Sequence, residues 1–182
     1  MKPKLYLAGP EVFLPNALEN AEKQRALCHQ YGFEPIHPMD NNVDPGKRDI
    51  GTALRIYLAD VAQIHQCDIV VANCNPFRGV CMDDGTAYEL GYGNALKKPS
   101  YGYIRELTPL FKRTARDYPC KPYKDGIDID KDGYLVSEVF GNAINLMMQG
   151  GMMFLKGSLV EGEFEKCLQA VRADLDSGKL VL

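Results

Sequence analysis

Asp68-Ile69-Val70-Val71-Ala72-Asn73 is an apolar run, and Asp83-Asp84-Gly85-Thr86-Ala87-Tyr88-Glu89-Leu90-Gly91 follows it after a short loop. The first run is typical of a strand that is buried on both faces of a sheet. The second opens a helical pattern, so a strand, a polar loop and a helix start are predicted in that order. Open α/β sheets place ligands and chemistry at such junctions, and glycines there let the backbone come close to a bound molecule.

Segments with the pattern of strands alternate with segments of helical periodicity on both sides of this junction. Strands are predicted over 4–8, 33–37, 68–73 and 99–104, and helices over 16–31, 48–66 and 86–96. Asn16 is the expected N-cap of the first helix and Gly32 its C-terminal stop. The apolar residues of the second helix recur at helical spacing, at Ile50, Leu54, Leu58, Val61 and Ile64. This alternation predicts the α/β class, with an open, mostly parallel sheet and helices on both faces.

The chain is less regular after residue 104. Residues 105–137 are polar and interrupted by prolines and glycines, so a short helix followed by a flap is expected. Helices are predicted over 139–149 and 161–177, the second as an extra C-terminal helix. A chain of 182 residues without a low-complexity linker is expected to form a single domain over 1–182.

Composition argues against several classes of function. The formal net charge is −3, the sequence pI is about 5.6, and Lys and Arg form no block, so nucleic acid is not an expected partner. The sequence contains no apolar run long enough to span a bilayer. The N-terminal Met1-Lys2-Pro3-Lys4 leads straight into the first predicted strand, without the pattern of a signal peptide. We therefore expect a cytoplasmic protein that does not bind membranes.

The cysteine and glycine patterns predict neither a metal site nor a cofactor. The six Cys residues form no C-x-x-C pair and have no His at zinc spacing, which favours reduced, mostly buried thiols. The run Asp128-Ile129-Asp130-Lys131-Asp132-Gly133 imitates the first half of a calcium loop, but Val139 stands where that loop needs a Glu. An acidic hairpin turn is expected there instead. The glycine motifs of nucleotide-binding loops do not occur.

Three carboxylates and one tyrosine are candidates for chemistry. Glu89 either complements the dipole of its helix or, among small neighbours after a strand, serves as a catalytic carboxylate. Asp83 is either a loop cap or a second carboxylate aimed at the same cavity. Asp60 either faces solvent or is partly buried, with a raised pKa that suits a proton donor. Tyr6 either packs in the core or holds a catalytic carboxylate. Carboxylates with different roles are what glycosyl chemistry requires.

These residues, together with motifs elsewhere, resemble the nucleoside 2-deoxyribosyltransferase family. The opening Leu5-Tyr6-Leu7-Ala8-Gly9-Pro10 and the central Asp83-x-Gly85-Thr86-Ala87-x-Glu89-x-Gly91 match family motifs. Three further elements follow in family order: Pro38-Met39-Asp40-Asn41, Asp60 eight residues before Asp68, and Asn145-Leu146-Met147. The resemblance spans residues 5–147 and implies a flavodoxin-like variant of the Rossmann fold.

The resemblance also implies a retaining double displacement that uses no metal or cofactor. Glu89 would attack C1′ of a 2′-deoxynucleoside, form a deoxyribosyl-enzyme ester and release the base, and a second base would then attack the same carbon. Tyr6 matches the tyrosine that positions this nucleophile, and Asp60 matches the residue that handles the proton of the base. Met147 and Phe13 are expected to wall the cleft and keep water from the intermediate. The implied substrates are 2′-deoxynucleosides and free nucleobases.

Further positions are implied to bind the substrate. Asp83 matches the residue that hydrogen-bonds the sugar hydroxyls, and Gly9 lies in the opening motif beside the substrate. Asn145 matches a residue that reaches the sugar 5′-hydroxyl from a neighbouring subunit, so a homo-oligomer, at least a dimer, is implied. Asn42 lies where some members carry a glutamine that contacts the base, which leaves the base preference open.

Two other functions stay open at this point. A hydrolase of related fold that cleaves 2′-deoxynucleoside 5′-monophosphates would have to hold a phosphate, but Glu11, Asp83 and Asp84 would place negative charge beside it. A non-catalytic domain that binds nucleosides through the same cleft would not need Glu89 and Asp60. The residues also leave open whether only purines or also pyrimidines are accepted, and whether the role is nucleotide salvage or degradation.

Overall fold

The computed structural model describes residues 2–41, 43–44, 46 and 48–182. Its strands are β1 (Lys4–Ala8), β2 (Glu34–Ile36), β3 (Ile69–Asn73), β4 (Ser100–Ile104), β5 (Cys120–Pro122), β6 (Asp128–Asp130), β7 (Leu135–Val136) and β8 (Leu159–Glu161). Its α-helices are α1 (Ala17–Gln30), α2 (Ile50–Gln66), α3 (Asp84–Ala95), α4 (Leu110–Asp117), α5 (Leu146–Phe154) and α6 (Phe164–Asp176). Short 3-10 turns at Pro10–Phe13 and Pro38–Asp40 follow β1 and β2.

A five-stranded parallel sheet in the order β2-β1-β3-β4-β8 forms the centre of the molecule. The chain moves outward from β1 to β2, returns to β3 on the other side of β1, and then continues outward in the opposite direction. The strand order therefore reverses between β1 and β3, where Leu7 pairs with Val71. This is the position at which doubly wound sheets open a crevice for ligands. The predicted α/β class with a mostly parallel sheet is confirmed.

Alternation along β1 divides the core into two layers. Successive strand residues point to opposite faces, so Leu5 and Leu7 join the layer covered by α1 and α6. Tyr6 and Ala8 join the layer covered by α2, α3 and α5. Within β1, only the even-numbered residues can therefore contribute side chains to a site on the face covered by α2, α3 and α5.

Helix α3 lies very close to β3. A Cβ atom at Gly93 would be only 2.7 Å from Cγ2 of Val70, a distance that real Cβ contacts do not reach. Only glycine fits this approach without displacement of the helix. Because α3 also carries Glu89, the contact fixes the height of that side chain above the sheet.

Periodicity located α2 correctly but did not predict how its apolar side chains are covered. Ile50, Leu54 and Leu58 are exposed, at 87%, 56% and 55%. Thr52 and Ile64 are the buried positions of this helix. The described residues of the chain therefore leave one apolar face of α2 uncovered.

The helix predicted over 139–149 starts later than expected, and only its last four positions lie in α5 (Leu146–Phe154). Gly141 has a φ of +83°, which interrupts a helix, and α5 starts only at Leu146. Its N-cap is Asn145, whose Oδ1 accepts from the backbone N–H of Met147 at 3.1 Å. Likewise, α6 begins three residues later than the start of the predicted 161–177 helix, because the chain first completes β8.

The predicted signals at the two ends of α1 differ in outcome. Asn16 precedes α1 but makes no capping hydrogen bond with its side chain, whereas Gly32 follows the helix with a φ of +79°.

Residues 105–137 contain α4 and an antiparallel sheet in the order β5-β6-β7. In the acidic turn of its second hairpin, Oδ1 of Asp130 accepts from the backbone N–H groups of Asp132 and Tyr134, both at 2.9 Å.

Within the described ranges, none of the helices combines the length and the apolar character needed to cross a membrane.

Candidate active site

A cleft of about 520 Å³ opens at the carboxyl edge of the sheet, where the strand order reverses. The turn after β1, the turn after β2, one side of α2 and the start of α3 surround it. Several residues predicted from the sequence line this cleft together: Gly9, Phe13, Asp60, Asp83 and Glu89. The fold therefore brings together side chains from four separate parts of the chain.

Glu89 and Tyr6 form the centre of the site. The Tyr6 hydroxyl donates a hydrogen bond to Oε1 of Glu89 over 2.5 Å. Burial raises the pKa of Glu89 to about 8; the bond from Tyr6 opposes this shift, and the charges of Asp60 and Asp83 add to it. Burial and the nearby Glu89 raise the pKa of Tyr6, so its hydroxyl stays protonated and remains a donor.

Asp60 is the second carboxylate of the cleft. It is half-buried, and this burial raises its pKa. The amide Nδ2 of Asn41 donates to Oδ1 of Asp60 at 3.1 Å, which acts in the opposite direction. No role follows for Asn41 from the sequence alone, although it closes the quoted Pro38–Asn41 run. Asp60 is thus a half-buried carboxylate in the same cleft as Glu89 and does not face open solvent.

Asp83 caps the helix that carries Glu89. Its Oδ2 accepts from the backbone N–H of Thr86 at 2.8 Å and from the Thr86 hydroxyl at 2.9 Å. The side chain is buried, with 8% exposure, and still lines the cleft. One carboxylate oxygen therefore anchors the start of α3, as the loop-cap interpretation expects, while Oδ1 has no donor among the described residues.

The turn after β1 is fixed by Glu11, a residue that the motifs did not indicate. Its Oε1 accepts from Nδ2 of Asn73 at 2.8 Å and from the hydroxyl of Tyr103 at 2.6 Å. A Cβ atom at Gly9 would lie only 2.0 Å from the other oxygen of this carboxylate, Oε2, so a larger residue at Gly9 would displace the carboxylate. The network ties the turn after β1 to β3 and β4 through the Glu11 side chain, next to Gly9 of the cleft.

Phe13, which lines the cleft, is one member of an aromatic pair. Phe13 stacks on Phe77 with ring centroids 5.6 Å apart. The guanidinium of Arg78 lies 4.6 Å from the Phe77 centroid and 5.3 Å from that of Phe13. Phe13 remains 59% exposed, so an apolar surface is available to a flat ligand at this position.

A second opening reaches the same carboxylates from the groove between α2 and α3. It has a volume of about 340 Å³, and both Asp60 and Glu89 line it. The hydroxyls of Tyr57 and Tyr88 lie 3.0 Å apart at this opening. The exposed apolar face of α2 lies on the same helix as Tyr57, so in a single chain the carboxylates can be reached from two sides.

Asn145 and Met147 do not line the cleft of their own chain. They border a separate groove of about 550 Å³ between α3 and α5. Glu138 holds Asn145, because its Oε1 accepts from Nδ2 of Asn145 at 2.6 Å. Met147 is 75% exposed and does not line the cleft of its own chain, so its role as a wall of the cleft stays a prediction. Asn42 lies outside the described residues.

In the part of the chain that the structure describes, no group of three or more His, Cys, Asp or Glu side chains is arranged to hold a metal ion. The six cysteines are free thiols. Cys28, Cys67, Cys74 and Cys167 are buried, Cys120 is partly buried and Cys81 is exposed. Burial raises the pKa of the buried thiols, which makes them poor nucleophiles.

The arrangement suits covalent catalysis by a carboxylate. Glu89 is held by Tyr6, Asp60 lines the same cleft, and apolar residues such as Val12 and Ile56 complete the walls. Fold and site together define a doubly wound α/β protein with paired carboxylates at its switch point. Paired carboxylates at this position suit chemistry at a glycosidic bond, which uses two carboxylates in different roles.

Comparison with known proteins agrees with this class. A family model described as nucleoside 2-deoxyribosyltransferase matches residues 5–147. A 2-deoxyribosyltransferase from Leishmania mexicana has a similar structure, with a TM-score of 0.71 and 28% identity over 94% of this chain and 97% of that one. A conserved protein from Enterococcus faecalis V583 shares the fold, with a TM-score of 0.63 and 20% identity over 95% of this chain and 99% of that one.

An uncharacterised protein from Schizosaccharomyces pombe is 30% identical, over 96% of this chain and 91% of that protein. The chain belongs to the nucleoside 2-deoxyribosyltransferase family. The family places it among enzymes of the deoxyribosyltransferase and N-glycosidase class, which bind nucleosides and nucleobases. The resemblance inferred from the motifs is confirmed.

Proposed function

We propose that this protein transfers a 2-deoxyribosyl group from a 2′-deoxynucleoside to a free nucleobase through a covalent intermediate on Glu89. The observation that carries the proposal is the 2.5 Å bond from Tyr6 to Oε1 of Glu89 in a cleft that also contains Asp60. The bond holds the carboxylate through Oε1, so Oε2 is the oxygen that attacks C1′.

In the first step Oε2 of Glu89 forms a bond to C1′, and the N-glycosidic bond breaks with its electron pair on the base nitrogen. Asp60 gives its proton to the departing base and becomes a carboxylate. In the second step a nitrogen of the incoming base attacks C1′ and its proton passes to Asp60, while Glu89 leaves as a carboxylate. Two inversions at C1′ give net retention.

A 2-deoxy sugar suits this chemistry. Positive charge develops at C1′ in the transition state, and a ribose would oppose it with an electron-withdrawing 2′-hydroxyl. A carboxylate alone therefore meets a lower barrier with a deoxynucleoside. The apolar wall formed by Phe13, Val12 and Ile56 favours a base over water as the second nucleophile.

We further propose that a second copy of the chain completes the site. The second opening exposes Glu89 and Asp60 between α2 and α3, next to the uncovered apolar residues Leu54 and Leu58. On the same protein, Asn145 is held by Glu138 at the start of α5, away from its own cleft. A homodimer that inserts Asn145 and Met147 into the opening of its neighbour would cover both surfaces, and Asn145 would bind the sugar 5′-hydroxyl.

The test is a chromatographic assay of purified protein with deoxyinosine and adenine, and separately with thymidine and adenine. Wild-type protein should form deoxyadenosine, and Glu89→Gln, which keeps the contact with Tyr6, should not. The thymidine reaction shows whether pyrimidine nucleosides are also donors. Formation of free hypoxanthine without deoxyadenosine would replace the transferase with a hydrolase, and the absence of any reaction would favour a binding protein.

A nucleotide hydrolase is the less favoured function for an electrostatic reason. Glu11, Asp83 and Asp84 all lie near the turn after β1 or the start of α3, where a phosphate would seek backbone N–H groups. A parallel assay with a 2′-deoxynucleoside 5′-monophosphate addresses this directly. Turnover of the monophosphate in preference to the nucleoside would contradict the proposed substrate.

A further inference from the structure

We propose that Asn41 is a positioning residue that holds Oδ1 of Asp60 and thereby leaves Oδ2 to carry the catalytic proton. The inference rests on the proposed function, because Asp60 is the proton carrier of that reaction. Asn41 acts through Asp60 and forms no bond to the reacting atoms.

The orientation of the Asn41 amide follows from its two contacts. Nδ2 donates to Oδ1 of Asp60 at 3.1 Å, and Oδ1 of Asn41 accepts from the backbone N–H of Val43 at 3.4 Å. If the amide were turned over, two donors would face each other at Val43 and two acceptors would face each other at Asp60. The observed orientation is therefore the one that satisfies both contacts, both when Asp60 is ionised and when its proton is on Oδ2.

The turn that carries Asn41 is itself held rigidly. The backbone N–H of Met39 donates to Nδ1 of His37 at 3.1 Å, and the backbone N–H of His37 donates to Oδ2 of Asp40 at 2.9 Å. Burial lowers the pKa of His37 to about 4, so the ring is neutral and its Nε2–H donates to Oε1 of Gln24. A ring and a carboxylate thus lock the turn, and Asn41 meets Asp60 in a fixed direction.

The groups around Asp60 make this one donor important. Glu89 from α3 and Tyr6 from β1 face it, and Asp83 lies at the start of the same helix as Glu89. None of these supplies a positive charge, and no cation of the described residues forms an ion pair with Asp60. Burial raises the pKa of Asp60, and the bond from Asn41 is what lowers it.

The contact has two consequences for the reaction. With Oδ1 engaged, a proton on Asp60 sits on Oδ2, so donation to the leaving base and recovery from the incoming base use the same atom. With its pKa lowered by Asn41, Asp60 releases that proton at a lower pH than burial alone would allow. Loss of the donor would therefore shift the activity profile of the enzyme to higher pH.

The experiment compares wild type with Asn41→Leu, which removes the donor at similar volume, and Asn41→Asp, which replaces the donor with a like charge. In each protein the pKa of Asp60 is measured by ¹³C NMR of its carboxyl group, assigned with Asp60→Asn, and the pH profile of exchange is recorded. The pKa should rise by about one unit in Asn41→Leu and further in Asn41→Asp. Asn16→Ala, an exposed Asn substitution at the start of α1, should leave both readouts unchanged.

We expect the pKa of Asp60 and the pH profile both to move upward from wild type to Asn41→Leu and further to Asn41→Asp. A residue that served only folding would not make the pKa of Asp60 depend on the charge at position 41. If wild type performs exchange but the pKa of Asp60 and the pH profile are the same in all three, the positioning role is wrong and the proposed function stands. If wild type performs no exchange, the proposed function fails and the positioning role fails with it. Circular dichroism shows whether each variant folds. If one variant does not fold, the comparison of the other variant with wild type decides the positioning role.

Discussion

Tyr6 and Glu89 are 83 residues apart in the chain, yet the hydroxyl of the first lies 2.5 Å from the carboxylate of the second. Tyr6 is fully buried, so its ring is part of the core while its hydroxyl reaches the reacting group. A single side chain therefore couples the packing of the central sheet to the ionisation of the proposed nucleophile.

Tyr6→Phe should shift the pH dependence of exchange upward. The variant keeps the ring but removes the donor that lowers the pKa of Glu89, and that pKa is already raised to about 8. Glu89 must be ionised to attack, so the rate at neutral pH should fall by about 10- to 100-fold, the range for loss of a hydrogen bond to a charged group. Rates measured from about pH 6 to about pH 10 test this, and a profile that falls in amplitude without moving would contradict it.

Glu89 should make the fold less stable at alkaline pH. Its pKa in the folded protein is about 8, above the ordinary value of 4.5 that applies in the unfolded chain. The associated stabilisation is fully present below the unfolded pKa and is lost as the pH rises through the folded pKa.

Glu89→Gln cannot ionise, so its free energy of unfolding should increase relative to wild type over this interval. The gain is at most about 1.4 kcal/mol for each unit of pKa difference. Urea denaturation at about pH 5 and about pH 9 measures the gain at both ends. The same difference between the two proteins at both pH values would show that Glu89 titrates normally.

Two inactive variants should restore activity to each other if Asn145 acts across a dimer. A mixed dimer of Glu89→Gln and Asn145→Ala contains one site in which both side chains are native. After subunits are mixed at random, roughly a quarter of wild-type activity should return, since half of the dimers are mixed and each has one intact site. Glu89→Gln mixed with Asp60→Asn is the control, because those two residues lie in one cleft of one chain, and it should stay inactive. Equal activity in both mixtures would place Asn145 elsewhere.

Gly93→Ala should destabilise the protein although alanine favours helices. The added Cβ would lie 2.7 Å from Cγ2 of Val70, and overpacking of this kind costs about 1–3 kcal/mol. Gly91→Ala on the same helix meets no atom within 4 Å and should be neutral or stabilising by up to about 1 kcal/mol. Thermal or urea denaturation of the two variants gives the comparison. Equal stability of the two would mean that α3 moves away from β3 without cost.

The elements that local sequence signals predicted best are those that build the cleft. The apolar run of β3 and the Asp83 cap of α3 are local features, and both lie within one or two residues of their predicted positions. The same signals identified Glu89, because a loop-to-helix junction after a buried strand is recognisable without knowledge of the fold.

Other features depend on contacts between distant residues and could not be predicted in this way. Asn41 and Asp60 meet only because a rigid turn and α2 converge, and Glu11 is fixed by Tyr103, 92 residues away. The start of α5 is set by Gly141 and by the cap at Asn145, against apolar residues that suggested an earlier helix. Strand β8 has three residues, too few for an alternating pattern.

The close packing of α3 on β3 at Gly93 limits which parts of the cleft can change in sequence without moving Glu89. Because a Cβ atom at Gly93 would meet Cγ2 of Val70 at 2.7 Å, repacking beneath α3 would move the helix and with it Glu89, the proposed nucleophile. Under the proposed function, we therefore expect changes of base preference to come from the turns that line the other side of the cleft. Diversity introduced around Phe13 and Met39 is thus compatible with an unchanged reaction, whereas diversity under α3 is not.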